Sequence, residues 1–132
     1  MKRDMDLIRE LMLLLEERPV PAVGIEWLAP ETLQVAGRSV EEIGYHLSLL
    51  EQAGFIEAGG ADTLGMRLGN GIAFRGLSWT GHDFLDSVRR PDVWEKTKAA
   101  AARVGGYTVD ILVAAAKAYA QQKITEFVHG PH

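Results

Sequence analysis

The 132-residue chain has no cysteine. That excludes a disulfide framework, a thiolate zinc site and a cysteine nucleophile, and it fits a reducing compartment. Long apolar runs are missing as well. The leucine-rich stretch from Leu11 to Leu15 is far too short to cross a bilayer. The opening MKRDMD carries two aspartates and no cleavage site follows, so no signal peptide is expected. There is no Gly-x-Ser-x-Gly elbow, no phosphate-cradling Walker loop and no paired-carboxylate pattern. A non-enzymatic protein without cofactor or metal is the expectation, soluble and cytoplasmic.

Positive charge is also scarce. Lys and Arg number 14 against 18 Asp and Glu, for a net charge of -4. The imbalance is local: residues 1–54 hold five basic and ten acidic side chains. Phosphate contacts supply most of the affinity of a nucleic-acid binder. Any DNA-facing surface must therefore rest on a few local arginines.

What is present is a chain with ordinary globular hydrophobicity, 47% apolar and 24% charged, which excludes a disordered composition. One domain is expected, with a core over residues 1–90 and a helical extension over 91–132. Leu7, Ile8, Leu11, Met12, Leu14 and Leu15 recur at helical spacing, so residues 4–18 read as a helix ended by Pro19 and Pro21. Residues 20–38 read as a loop with a short strand over Thr32–Val35. Ser39 and Glu42 form a capping-box pattern, and Gly54 stops the helix that follows over 39–54. Residues 55–58 and 72–79 read as the two strands of an antiparallel hairpin around a glycine-rich loop. Helices are expected over 81–90 with Thr80 as cap, over 91–103, and from a Thr108 cap to about Phe127.

A capped helix followed by a hairpin is the layout of a winged helix. The stretch SVEEIGYHLSLLEQAGFIE resembles the recognition-helix end of winged helix-turn-helix proteins. A wider likeness runs through MKRDMDLIR, YHLSLLEQAGFIE, LSWTGHDFLDSVRRPDVWEK and GGYTVDIL. These segments resemble the bacterial and prophage family of unknown function numbered 2513. The likeness implies a small α+β, mostly helical protein with a winged helix-turn-helix-like core, a β-hairpin wing and C-terminal helices, often phage-associated. It brings no catalytic residues. A two-helix DNA-reading unit needs about eight residues of helix before the recognition helix. Gly24, Pro30 and Gly37 leave little room for one.

Two functional readings follow. The first is DNA binding or transcription regulation, with His46, Ser48 and Gln52 on the 39–54 helix and Arg67, Asn70 and Arg75 on the wing as contacts. No Lys or Arg lies between Ser39 and Ile56, which opposes it. The second is a protein-binding accessory factor on the same scaffold, such as a phage inhibitor of a host defence complex. The pairs Glu42/His46 and His82/Asp86 have metal-ligand spacing, but two ligands do not make a site. Trp79 and Trp94 are expected in the packing. The last helix carries Val109, Leu112, Val113, Ala116, Ala120, Ile124 and Phe127 on one stripe. This points to a homodimer unless the preceding helices cover it.

Overall fold

The computed structural model describes residues 1–58 and 71–129. The chain divides into two compact units, Met1–Asp83 and Phe84–His132. The α+β class holds: the described residues form five helices and two small antiparallel sheets. Among them no helix is long and apolar enough to cross a membrane.

Helix α1 (Met5–Glu16) opens on Asp4, whose side chain accepts from the backbone N–H of Asp6 and Leu7. Its apolar arc is wide, and Leu7, Leu11, Met12 and Leu15 are sealed from solvent. So broad a buried arc wedges the helix into the core. Strand β1 (Glu26–Leu28) comes next, then a single 3-10 turn over Pro30–Thr32. The expected strand over Thr32–Val35 is absent. Pro30 starts a turn instead, and of that stretch only Leu33 is buried. The strand lies earlier because β1 finds a partner there. A Cβ on Gly71 would collide with the carbonyl oxygen of Leu28, so only glycine admits this approach.

Helix α2 (Val40–Gln52) has the expected capping box: Ser39 Oγ accepts from the Glu42 N–H at 3.1 Å, and Glu42 Oε1 from the Ser39 N–H at 3.3 Å. Gly54 follows at φ +74°, the left-handed conformation that lets Phe55 turn back, its N–H bonding the Leu50 carbonyl. Strand β2 (Ile56–Glu57) pairs antiparallel with β4 (Gly76–Leu77), Ile56 opposite Leu77. The hairpin expectation holds for these residues. The outgoing strand is nevertheless split. Its first half, β3 (Ile72–Phe74), pairs with β1, Trp27 opposite Ala73. At the break, the Arg75 N–H still bonds the Glu57 carbonyl at 2.8 Å. One outgoing stretch thus serves β1 and then β2, with α1 and α2 packed on its strands.

Helix α3 (Trp79–Val88) begins two residues earlier than expected. Its cap is Ser78, not Thr80: Ser78 Oγ accepts from the Gly81 N–H at 3.0 Å and donates to the Gly54 carbonyl at 2.5 Å. Trp79 is therefore the first helical residue. It falls outside the apolar face of Phe84, Leu85 and Val88 and stands 84% exposed, so it is not in the packing. A Cβ on Gly81 would strike the Phe55 carbonyl oxygen, so the helix start can press on the entry to β2 only with glycine there.

In the second unit, α4 (Pro91–Val104) and α5 (Val109–His129) pack together as a hairpin turned by Gly105 and Gly106, both at positive φ. Thr108 caps α5 through the Ile111 N–H. Trp94, Thr97, Ala101, Leu112 and Ala116 are buried. The expected stripe on α5 is therefore divided. Its first half is covered within the chain, whereas Ile124 and Phe127 stand 56% and 87% exposed. Length accounts for the split: α5 has 21 residues and α4 has 14.

Candidate functional site

The α2 helix presents one outward row. Glu41, Tyr45, Ser48 and Gln52 recur at steps of four, three and four, which places them on one side of a helix. Glu41 and Gln52 are exposed, Tyr45 is 39% exposed and Ser48 is half-buried. Ser48 Oγ donates to the Tyr45 carbonyl at 2.7 Å, so its hydroxyl proton is already spent on the helix. No cation stands on this row.

His46, expected on the same outward face, is not there. It is only 1% exposed and turned inward, four residues from Glu42 and beside Leu47 and Leu50. Both ring nitrogens are engaged. Nε2 accepts from the Asp4 N–H at 2.9 Å, and Nδ1 lies 2.8 Å from the Glu42 carbonyl oxygen. The Tyr45 ring meets it edge-on, with centroids 5.5 Å apart. A ring so bound has no nitrogen left for a base edge or a metal. The alternation of polar and apolar residues around His46 fits either placement. Its depth is set by the start of α1, 42 residues away.

Around it sits a charged cluster. Arg38 Nη1 donates to Asp4 Oδ2 at 2.6 Å and to Glu42 Oε2 at 3.4 Å. Burial pushes the Asp4 carboxyl up. The Arg38 hydrogen bond and the N–H groups of Leu7 and Asp6 outweigh it and hold Asp4 below its ordinary range. The Ser39 backbone N–H and then Arg38 lower Glu42 in the same way. Asp4 raises Arg38 above its ordinary value. The cluster ties the starts of α1 and α2 together and leaves Arg38 committed to protein partners.

Of the six residues expected to meet DNA, Arg67 and Asn70 lie outside the described residues. Arg75 is half-buried and its Nη1 donates to the Gly24 carbonyl at 2.9 Å. The described residues contain no group of three or more His, Asp or Glu able to hold a metal ion. His82 is exposed on α3. An open cleft of about 330 Å³ in the first unit has Leu14, Pro19 and Leu33 on its walls, with Glu17, Arg18, Thr32 and Gln34 around them. Sequence reasoning missed Tyr45 as the centre of the outward row, although its spacing from Glu41 and Gln52 was readable.

The family model described as "Hypothetical protein (DUF2513)" matches residues 2–108. The chain belongs to this family. The match runs from α1 to Thr108, just before α5, and includes the capping box and the Trp79–Asp83 segment with its close-packed Gly81. A relative titled "Uncharacterized protein" from Haemophilus influenzae is 34% identical over 128 residues, covering 97% of this chain and 99% of its own length. No solved structure matches the chain.

Proposed function

We propose that this DUF2513 protein is a non-enzymatic, protein-binding module on a winged-helix scaffold, and that it engages its partner through the outward row of α2. The order α1, β1, 3-10 turn, α2, β2, β3–β4 supports the scaffold. It has the succession of a winged helix, with the middle helix reduced to Pro30–Thr32. That reduction removes the helix that would brace a recognition helix across a DNA backbone. The observation that carries the reading is the make-up of the row itself: Glu41, Tyr45, Ser48 and Gln52, with His46 withdrawn into the core. With Glu41 as its one charge, the row offers duplex phosphates no cation. A half-exposed tyrosine flanked by polar groups is a common anchor at protein interfaces. Glu41 on this row suits a cation on the partner's contact surface.

DNA binding or transcription regulation is the competing reading, and it rests on the same element order. With His46 buried, its contacts would be Ser48 and Gln52 on α2 with Arg67, Asn70 and Arg75 of the wing. Phage association and a role as an inhibitor of a host complex belong to the proposal as its biological setting.

Nuclease-treated affinity capture tests it, run in parallel with wild type and with Glu41→Lys/Tyr45→Ala. Both positions are at the surface, so the variant is expected to keep its helical circular dichroism. A protein retained by wild type after nuclease and lost by the variant supports the proposal. Capture abolished by nuclease, or insensitive to the variant, overturns it.

A further inference from the structure

The outer edge of β1 carries an unusual row of side chains. Ile25, just before the strand, and Trp27 within it lie two residues apart and are 38% and 40% exposed. Between them, Glu26 turns to the other side, where Arg18 Nε donates to its carboxylate at 3.0 Å, and Leu28 is buried. Edge strands are normally guarded by outward charge. Here the one charge is held by Arg18 and the outward positions are apolar.

Among the described residues the main chain of this edge is open too. The Leu28 carbonyl is turned towards β3, since it sits where a Cβ on Gly71 would need to be. In an antiparallel pair a residue turns its N–H and C=O to the same neighbour, and the next residue turns both away. Leu28 and Glu26 therefore face Ile72 and Phe74, their register partners. The N–H and C=O of Ile25 and Trp27 point outward, where sheet order gives β1 no second neighbour among the described residues.

We infer that β1 is a self-pairing edge, and that two copies of the chain join antiparallel across it about a two-fold axis through Glu26. Symmetry and side-chain facing select this register. Opposed residues must lie on the same face of the sheet, so the axis passes through a residue and not between two. Centred on Glu26, Ile25 of each copy meets Trp27 of the other. The four outward groups of these residues all find partners, and two apolar cross-strand pairs form on the exposed face. Centring on Trp27 instead would call on Ala29, whose carbonyl is already taken by the Thr32 N–H. The two Glu26 carboxylates are neighbours in the chosen register, each neutralised by its own Arg18. A contact of this length buries far less than the roughly 800 Å² per partner of a stable complex. The dimer is accordingly weak and concentration-dependent.

The cysteine-free sequence makes the test clean. Glu26→Cys places the new thiol opposite its own copy in a narrow pair, whose Cα separation of about 4.5 Å suits a disulfide. The change sacrifices only a surface ion pair, so the fold is retained. Under mild oxidation Glu26→Cys is expected to form covalent dimer at least tenfold faster than Gln52→Cys, an exposed control. Light scattering gives the second readout. Wild type rises from 14.5 kDa towards twice that mass with concentration, Ile25→Lys stays monomeric, and Phe127→Glu behaves as wild type. A monomer at every concentration, equal crosslinking of both cysteine variants, or a dimer that Phe127→Glu abolishes and Ile25→Lys does not, overturns the inference. The last outcome would move the contact to the exposed end of α5.

Discussion

The backbone N–H of Asp4 donates to Nε2 of His46 at 2.9 Å, joining the N-cap of α1 to the buried side of α2. Nε2 can accept only without a proton, so the proton sits on Nδ1 and is donated to the Glu42 carbonyl. Nitrogen NMR of the folded chain is expected to show a protonated Nδ1 and a bare Nε2 for His46. The reverse assignment contradicts the geometry. His46→Leu keeps the volume but strands the Asp4 N–H, and its expected cost is ~1–3 kcal/mol in denaturant unfolding.

Arg38 governs the acid response of the same cluster. Asp4 and Glu42 are both held below their ordinary values of 3.8 and 4.5 when folded. A carboxylate depressed by folding adds stability above its unfolded value, and this is lost as pH falls through the folded value. The contribution is thus complete above about pH 5 and fades below 4.5 as Glu42 and Asp4 take up protons. Arg38→Met should flatten the melting temperature against pH in this acid window. A wild-type profile as flat as that of the variant would show that the cluster is not coupled to folding.

Leu11 and Leu47 are fully buried on the facing helices α1 and α2. Each change to alanine removes buried surface and leaves a cavity, with an expected loss of ~2–5 kcal/mol. Chemical denaturation measures this. A loss under about half a kcal/mol, the size of a surface change, would place either leucine outside the core.

These two leucines also mark where the sequence could be read directly. Helical spacing and the Ser39–Glu42 box located α1 and α2 to within a residue or two, because burial and capping are local patterns. Three features were not legible. Strand β1 is three residues long, with Leu28 buried and Trp27 facing outward, so its polarity pattern gives no clear alternation. The long strand over 72–79 is divided by which neighbour lies alongside, something no local pattern encodes. His46 sits one step from the outward row, and its burial depends on Asp4, far away in the chain. In the candidate site, Ser48 and Gln52 lie on the row as expected. The row's charge, and the commitment of Arg75 to Gly24, emerge only from the fold.

Thr97 is buried on α4, and its hydroxyl has no hydrogen-bond partner among the described residues. An unsatisfied buried hydroxyl costs more than the apolar group of the same shape. Thr97→Val is expected to raise stability by ~1 kcal/mol. A comparable loss would mean that the hydroxyl is bonded in solution.

The account turns on whether the outward row of α2 faces protein or phosphate, and a low-salt anisotropy titration against labelled duplex DNA addresses this most directly. Salt steepness reports the number of phosphates neutralised. The account predicts no saturable binding by wild type, and no change on Tyr45→Ala. Tight, sequence-specific binding that weakens on Gln52→Ala and falls steeply with salt would contradict it, and would return α2 to the role of a DNA-reading helix.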